Sequence, residues 1–186
     1  MVYDLDHHHA LRLGVFINVK TENGIVGIPY PDDSELQKLI HTLAENGEGD
    51  LLRLFSCWCA RQLQTDPSWS AEFIEFAEKV ARGEVSNSEL KQKCEASRNT
   101  ACTAVSVGWQ HYAMNAAVHM AGYSTINPDP AIAAEHAAHW QRNYQMMAAL
   151  RKWKDPQKVS QVGNELVKEH FNQLSAMAFL KDGSRP

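Results

Sequence analysis

Along most of the chain, apolar residues recur three or four positions apart, the spacing of one buried helix face. Leu51, Leu52, Phe55, Cys59 and Leu63 keep that spacing, and Phe73, Phe76, Ala77 and Val80 repeat it. After residue 87 a longer stripe runs Leu90, Cys94, Ser97, Ala101, Val105, Gly108, Tyr112, Ala116, His119. Small residues dominate it, which lets neighbouring helix axes approach closely. The first thirty residues break the pattern. LGVFINV and GIVGIPY are short β-branched runs separated by KTENG, whose Asn23-Gly24 suits a tight turn. They predict a β-hairpin over roughly 13–20 and 25–30.

Helix punctuation agrees with the periodicity. Asp32-x-x-Glu35 and Ser86-x-x-Glu89 have capping-box spacing, in which each side chain satisfies an orphan backbone N–H. Asp66-Pro67, Asp129-Pro130 and Asp155-Pro156 place a good N-cap before a proline suited to the first helical position. Gly47, Gly83 and Gly122 stand where helices should stop. The helices so delimited are about 33–46, 50–64, 67–82, 87–121, 130–152 and 156–180. The fourth would span roughly 50 Å at 1.5 Å per residue, so a break is expected near Arg98–Thr100 or Gly108. The fold expected is mainly α: a single-domain helical bundle with a short N-terminal β-hairpin. Residues 1–31 form the arm, 32–180 the bundle and 181–186 a frayed tail.

A length of 186 residues is enough for one domain with a real core. A net charge of −4 gives no basic footprint, so a nucleic-acid partner is not expected. No apolar run reaches the roughly 18 residues of a membrane span, and no export signal is read at the start. The expected location is the cytoplasm. Cys57 and Cys59 flank Trp58 and, two apart on a helix, point to different faces. With Cys94 and Cys102 they read as reduced thiols acting as small hydrophobes, and the chain has no CxxC pair for zinc.

Candidate chemistry concentrates in AAVHMAGYSTINPDPAIAAEHAAHW, residues 116–140. His136 and His139 are three apart and Glu135 and His139 four apart, so each pair shares a helix face. His119 closes the preceding stripe. These residues, with His111, form the candidate metal or acid/base set, although their spacing matches neither HExxH nor paired Glu-x-x-His. The alternative is architectural: polar residues inside a packed helical hairpin, with no cofactor. DLDHHH, residues 4–9, offers metal-ligand types whose adjacent side chains cannot all face one ion. RKWKDPQK, residues 151–158, is a basic patch around Trp153, and Trp69, Trp109, Trp140 and Trp153 are large anchors. No phosphate loop or nucleophile elbow occurs, so no catalytic residue is assigned.

LRLFSCWCARQL (52–63), FAEKVARGEVSNSELK (76–91), AMNAAVHMAGYS (113–124) and PAIAAEHAAHW (130–140) together resemble a family of bacterial immunity proteins. Ala81-Arg82-Gly83-Glu84 and His119-Met120-Ala121 match most closely, while Lys79-Val80 departs from the arginine and tryptophan of that family. The resemblance covers roughly residues 50–146. It implies an all-helical domain that neutralises a toxin by binding it, with no catalytic residue to carry over. The reading is therefore a non-catalytic protein-binding module whose partner is a toxin. A His-dependent metal-binding protein or enzyme is one alternative. A structural module, homodimeric through its hairpin, is the other.

Overall fold

The computed structural model describes residues 16–21, 24–63, 69–111, 113–153 and 155–183. The chain is mainly helical, with seven α-helices among those residues: α1 (Ser34–Glu45), α2 (Gly49–Arg61), α3 (Trp69–Ala81), α4 (Asn87–His111), α5 (Ala113–Ser124), α6 (Pro130–Trp153) and α7 (Pro156–Gly183). Ahead of them β1 (Phe16–Thr21) pairs antiparallel with β2 (Gly24–Pro29), Phe16 opposite Pro29 and Thr21 opposite Gly24. The Asn23 turn position and the Asp66-Pro67 cap lie outside the described residues, as do the DLDHHH segment and residues 184–186.

Local chemistry sets most helix ends. Gly47 and Gly83 have φ of 78° and 72°, which costs glycine little. At each, two backbone N–H groups reach back to cap the helix: Gly47 to Ala44 and Glu48 to Leu43, then Gly83 to Val80 and Glu84 to Lys79. Asp129 accepts from the N–H groups of Ala131 and Ile132, and Asp155 from those of Gln157 and Lys158. Ser86 and Glu89 form the expected reciprocal box.

Three local expectations need correcting. Asp32 and Glu35 form no capping box: Glu35 pairs with Lys38, and Asp33 is the N-cap residue, its side chain engaged elsewhere. Residues 181–183, expected in the tail, continue α7, and Lys181 pairs with Glu48. Gly122 does not end a helix. It lies within α5, where a Cβ would stand 2.6 Å from that of Ser70. Its bareness lets α5 and α3 touch. Gly122→Ala should therefore cost about 2 kcal/mol through overpacking, read as a lower urea midpoint at unchanged slope.

The largest departure is in the fourth segment. One helix over 87–121 is replaced by α4 and α5, and both expected break points, Arg98–Thr100 and Gly108, fall inside α4. The Tyr123 hydroxyl donates to the Cys94 carbonyl at 3.2 Å. In one straight helix these residues would be roughly 43 Å apart, so α5 runs back along α4. The stripe from Leu90 to His119 is thus not a single face. Contacts of α5 with α2, α3 and α6 favour the fold-back.

Among the described residues the core has three parts. Leu36, Ile40, Leu52, Phe55, Cys59, Ala134, Ala138 and Leu174 join α1, α2, α6 and α7. Cys57, Leu63, Phe73, Ile74, Ala77, Leu90, Ala121 and Ile126 join α2 to α3, α4 and α5. Cys57 and Cys59 therefore serve different clusters, as their two-residue spacing requires. Ile28 of β2 packs with Met146, Ala149 and Val159 between α6 and α7. Arg53, buried on α2, donates to the carbonyls of Thr125, Asn127 and Pro128 at 2.8, 2.9 and 3.2 Å. It thereby fixes the connection that turns α5 into α6.

Candidate functional site

Ile28 in its pocket aims the chain after β2 across α7 toward α6. The crossing needs Gly163, where a Cβ would lie 3.2 Å from Pro31 Cγ and 2.9 Å from Met146 Sδ. Tyr30 thus reaches α6, and Asp33 comes to rest over it at the start of α1.

Arg142, midway along α6, is only 2% exposed. Its Nε donates to the Tyr30 hydroxyl at 3.3 Å, and its Nη2 pairs with Asp33 Oδ2. The guanidinium carbon is 5.5 Å from the Tyr30 ring centroid. Asp33 Oδ1 also accepts from Gln37 Nε2 at 2.9 Å. Arg142 Nη1 is buried with no acceptor among the described residues. Burial opposes the Arg142 charge, but Tyr30 and Asp33 outweigh it and hold its pKa above the ordinary value. Burial likewise pushes the Tyr30 phenol up, against the opposing pull of Arg142. At neutral pH Tyr30 is a hydroxyl and Arg142 a cation.

His139, one turn earlier on α6, bridges this group outward. Its Nδ1 is 2.6 Å from the Tyr30 hydroxyl and its Nε2 2.8 Å from the Asn143 amide. A neutral imidazole has one donor and one acceptor nitrogen, and both face partners in the chain. Glu135 Oε1 is 3.1 Å from His41 Nε2, an ion pair when the imidazole is protonated, which ties α6 to α1. Between these walls lies a cleft of about 200 Å³, floored by Leu36, Ile40 and Ala138 and edged by Asp32, Asp33 and Glu135.

Of the sequence candidates, the fold brings Glu135 and His139 to this cleft. His136, half-buried on α6, is not among its lining residues. His119 is half-buried on α5, with its pKa lowered by desolvation. His111 ends α4, and its side chain lies outside the described residues, as do those of Trp69, Trp109 and Cys102. Among the described residues, no three His, Cys, Asp or Glu side chains converge as a metal site requires. Burial raises the Cys57 thiol to about 12 and Cys59 well above its usual range, so neither is a ready nucleophile. Trp140 is half-buried against His139, and Trp153 is 40% exposed with Lys152 Nζ 4.9 Å from its centroid.

Sequence reasoning did not single out Tyr30, Asp33 or Arg142. One signal for Arg142 was present: it continues the stripe Ala131, Ala134, Ala138, Arg142, Met146 at helical spacing. A charge on a core-facing stripe must find a partner. Nothing in the sequence said that the partners were Tyr30 and Asp33, more than a hundred positions away. Buried His170 was also passed over. Its Nε2 donates to Gln141 Oε1 at 2.8 Å, and its ring meets those of Phe55 and Trp58 edge-on.

The chain matches no family model, no curated protein and no solved structure. Among the described residues, no helix is long and apolar enough to cross a membrane.

Proposed function

We propose that the chain is a non-catalytic protein-binding module that neutralises a bacterial toxin in the cytoplasm by stoichiometric binding. One observation carries the reading: an exposed apolar tip beside an acidic corner. Phe179 and Leu180, near the end of α7, are 78% and 70% exposed. Lys181 ties that end to Glu48, whose sequence neighbours Glu45 and Asp50 are exposed carboxylates. Large apolar side chains rimmed by charge favour a protein contact, and aromatic anchors carry most of the energy in such contacts. The acidic rim and the net charge of −4 suit a basic partner, whose encounter is faster at low salt. The resemblance to immunity proteins supplies the toxin. The reading takes the β1–β2 pair as a hairpin that delivers Tyr30 to the cleft.

Co-expression with the product of the neighbouring gene tests this. Growth should be rescued through a one-to-one complex with a nanomolar or lower dissociation constant, about −12 kcal/mol or beyond. Replacing Phe179 and Leu180 together by alanine should weaken it about tenfold or more without changing the melting temperature. Absence of a complex at micromolar concentration ends the toxin reading. Rescue at strongly sub-stoichiometric levels would mean catalysis instead.

A further inference from the structure

We propose that α7 pairs antiparallel with α7 of a second copy of this chain, the basic Trp153 corner of each copy seated on the Phe179–Leu180 tip of the other. The pairing does not rest on the toxin reading, but it covers the same tip. Geometry comes first. At about 100° per residue, Lys158 falls about 40° from Leu180 and about 60° from Phe179 around α7, between the two. Along that face Gln161, Glu165, Lys168, Glu169, Asn172 and Ala176 are all exposed. The two ends thus look out from one open face roughly 32 Å long at 1.5 Å per residue.

The two ends are complementary. At the start of α7, exposed Trp153 has Lys152 Nζ 4.9 Å and Lys158 Nζ 6.0 Å from its ring centroid. Those lysines and the exposed Arg151 form no ion pair among the described residues. At the far end Phe179 and Leu180 are exposed, and the last carbonyls of the helix carry partial negative charge. Lys181 there is already matched by Glu48. Glu45 and Asp50, at most about 11 Å of chain from Glu48, add exposed carboxylates outside any ion pair among the described residues.

A polar helix face alone needs only water. Large apolar side chains at both ends of the same face call for a protein surface. A second copy covers both at once, because a two-fold axis reverses α7 and sets each basic end over the other's tip. Midway between Lys158 and Phe179, that axis crosses α7 between Lys168 and Glu169. Lys168 of each copy then lies level with Glu169 of the other, and the two helix dipoles oppose. One helix pair is smaller than the roughly 1,600 Å² of a standard interface, so a micromolar dissociation constant is expected. A nanomolar partner at the tip displaces the second copy.

Sedimentation velocity of the full chain, from micromolar to hundreds of micromolar, tests the pairing. The chain should pass from monomer to dimer and no further. Trp153→Ala, the pair Phe179→Ala with Leu180→Ala, and the pair Lys152→Glu with Lys158→Glu should each weaken the dimer about tenfold or more. All these side chains are exposed, so melting temperatures should not change. Mixing decides the arrangement. Each apolar variant alone loses both end contacts, whereas a mixed dimer of Trp153→Ala with the Phe179–Leu180 variant keeps one intact. The mixture should therefore associate more tightly than either variant by itself. A monomer throughout, higher oligomers, affinity unchanged in any of the three variants, or no recovery on mixing would overturn the pairing. A dimer without rescue in co-expression keeps the pairing and removes the toxin, and rescue by a strictly monomeric chain does the reverse.

Discussion

Replacing Asp33 by alanine is expected to lower the free energy of unfolding by about 4 kcal/mol. The cause is what it leaves behind: the Arg142 guanidinium, 2% exposed and stripped of its carboxylate partner. A buried charge without compensation costs several kcal/mol, whereas a buried pair replaced by apolar groups of similar volume is often near neutral. Arg142→Met should cost less than Asp33→Ala, because Asp33 keeps some access to water. The double variant should recover most of the loss, leaving it within about 1–2 kcal/mol of wild type. Denaturant unfolding of the four proteins closes the cycle. A loss below about 1 kcal/mol for Asp33→Ala would mean that water compensates Arg142.

The second large effect is acid sensitivity from His170. Desolvation, with the nearby Arg142 charge, lowers its pKa to about 3 from an ordinary value of 6.5. The folded chain thus holds that proton less tightly than the unfolded chain does. Its stabilisation is complete above pH 6.5 and is lost as pH falls toward 3, at about 1.4 kcal/mol per unit. By pH 4 the loss is about 3 kcal/mol. His119, lowered in the same direction, adds to the trend. Urea midpoints from pH 7 to pH 4 should fall steeply for the wild type and more gently for His170→Gln, which can still donate toward Gln141. Parallel pH profiles would show that His170 takes up no extra proton on unfolding.

Both effects arise from residues that the sequence analysis did not single out, which separates two kinds of legibility. Helix starts at Asp129, Asp155 and Ser86, and stops at Gly47 and Gly83, were readable because each depends on hydrogen bonds within a few residues. Glu135 and His139 were readable as a shared face of one helix. Their surroundings were not, since His139 meets Tyr30 from 109 positions away and Glu135 meets His41 of α1.

The sequence by itself determined that the chain would be mainly helical, which segments would be helices, and which side of α2 and α3 would be buried. Capping and periodicity are local, and they agreed. The tertiary structure alone decided three things. It folded the segment after residue 87 back on itself, because burying α5 against its neighbours outweighs continuing a helix into solvent. It made Gly122 a contact point rather than a stop, since only the approach of Ser70 requires a missing Cβ there. It also placed Tyr30, Asp33 and Arg142 together, because a buried guanidinium is tolerated only where distant parts of the chain supply its acceptors.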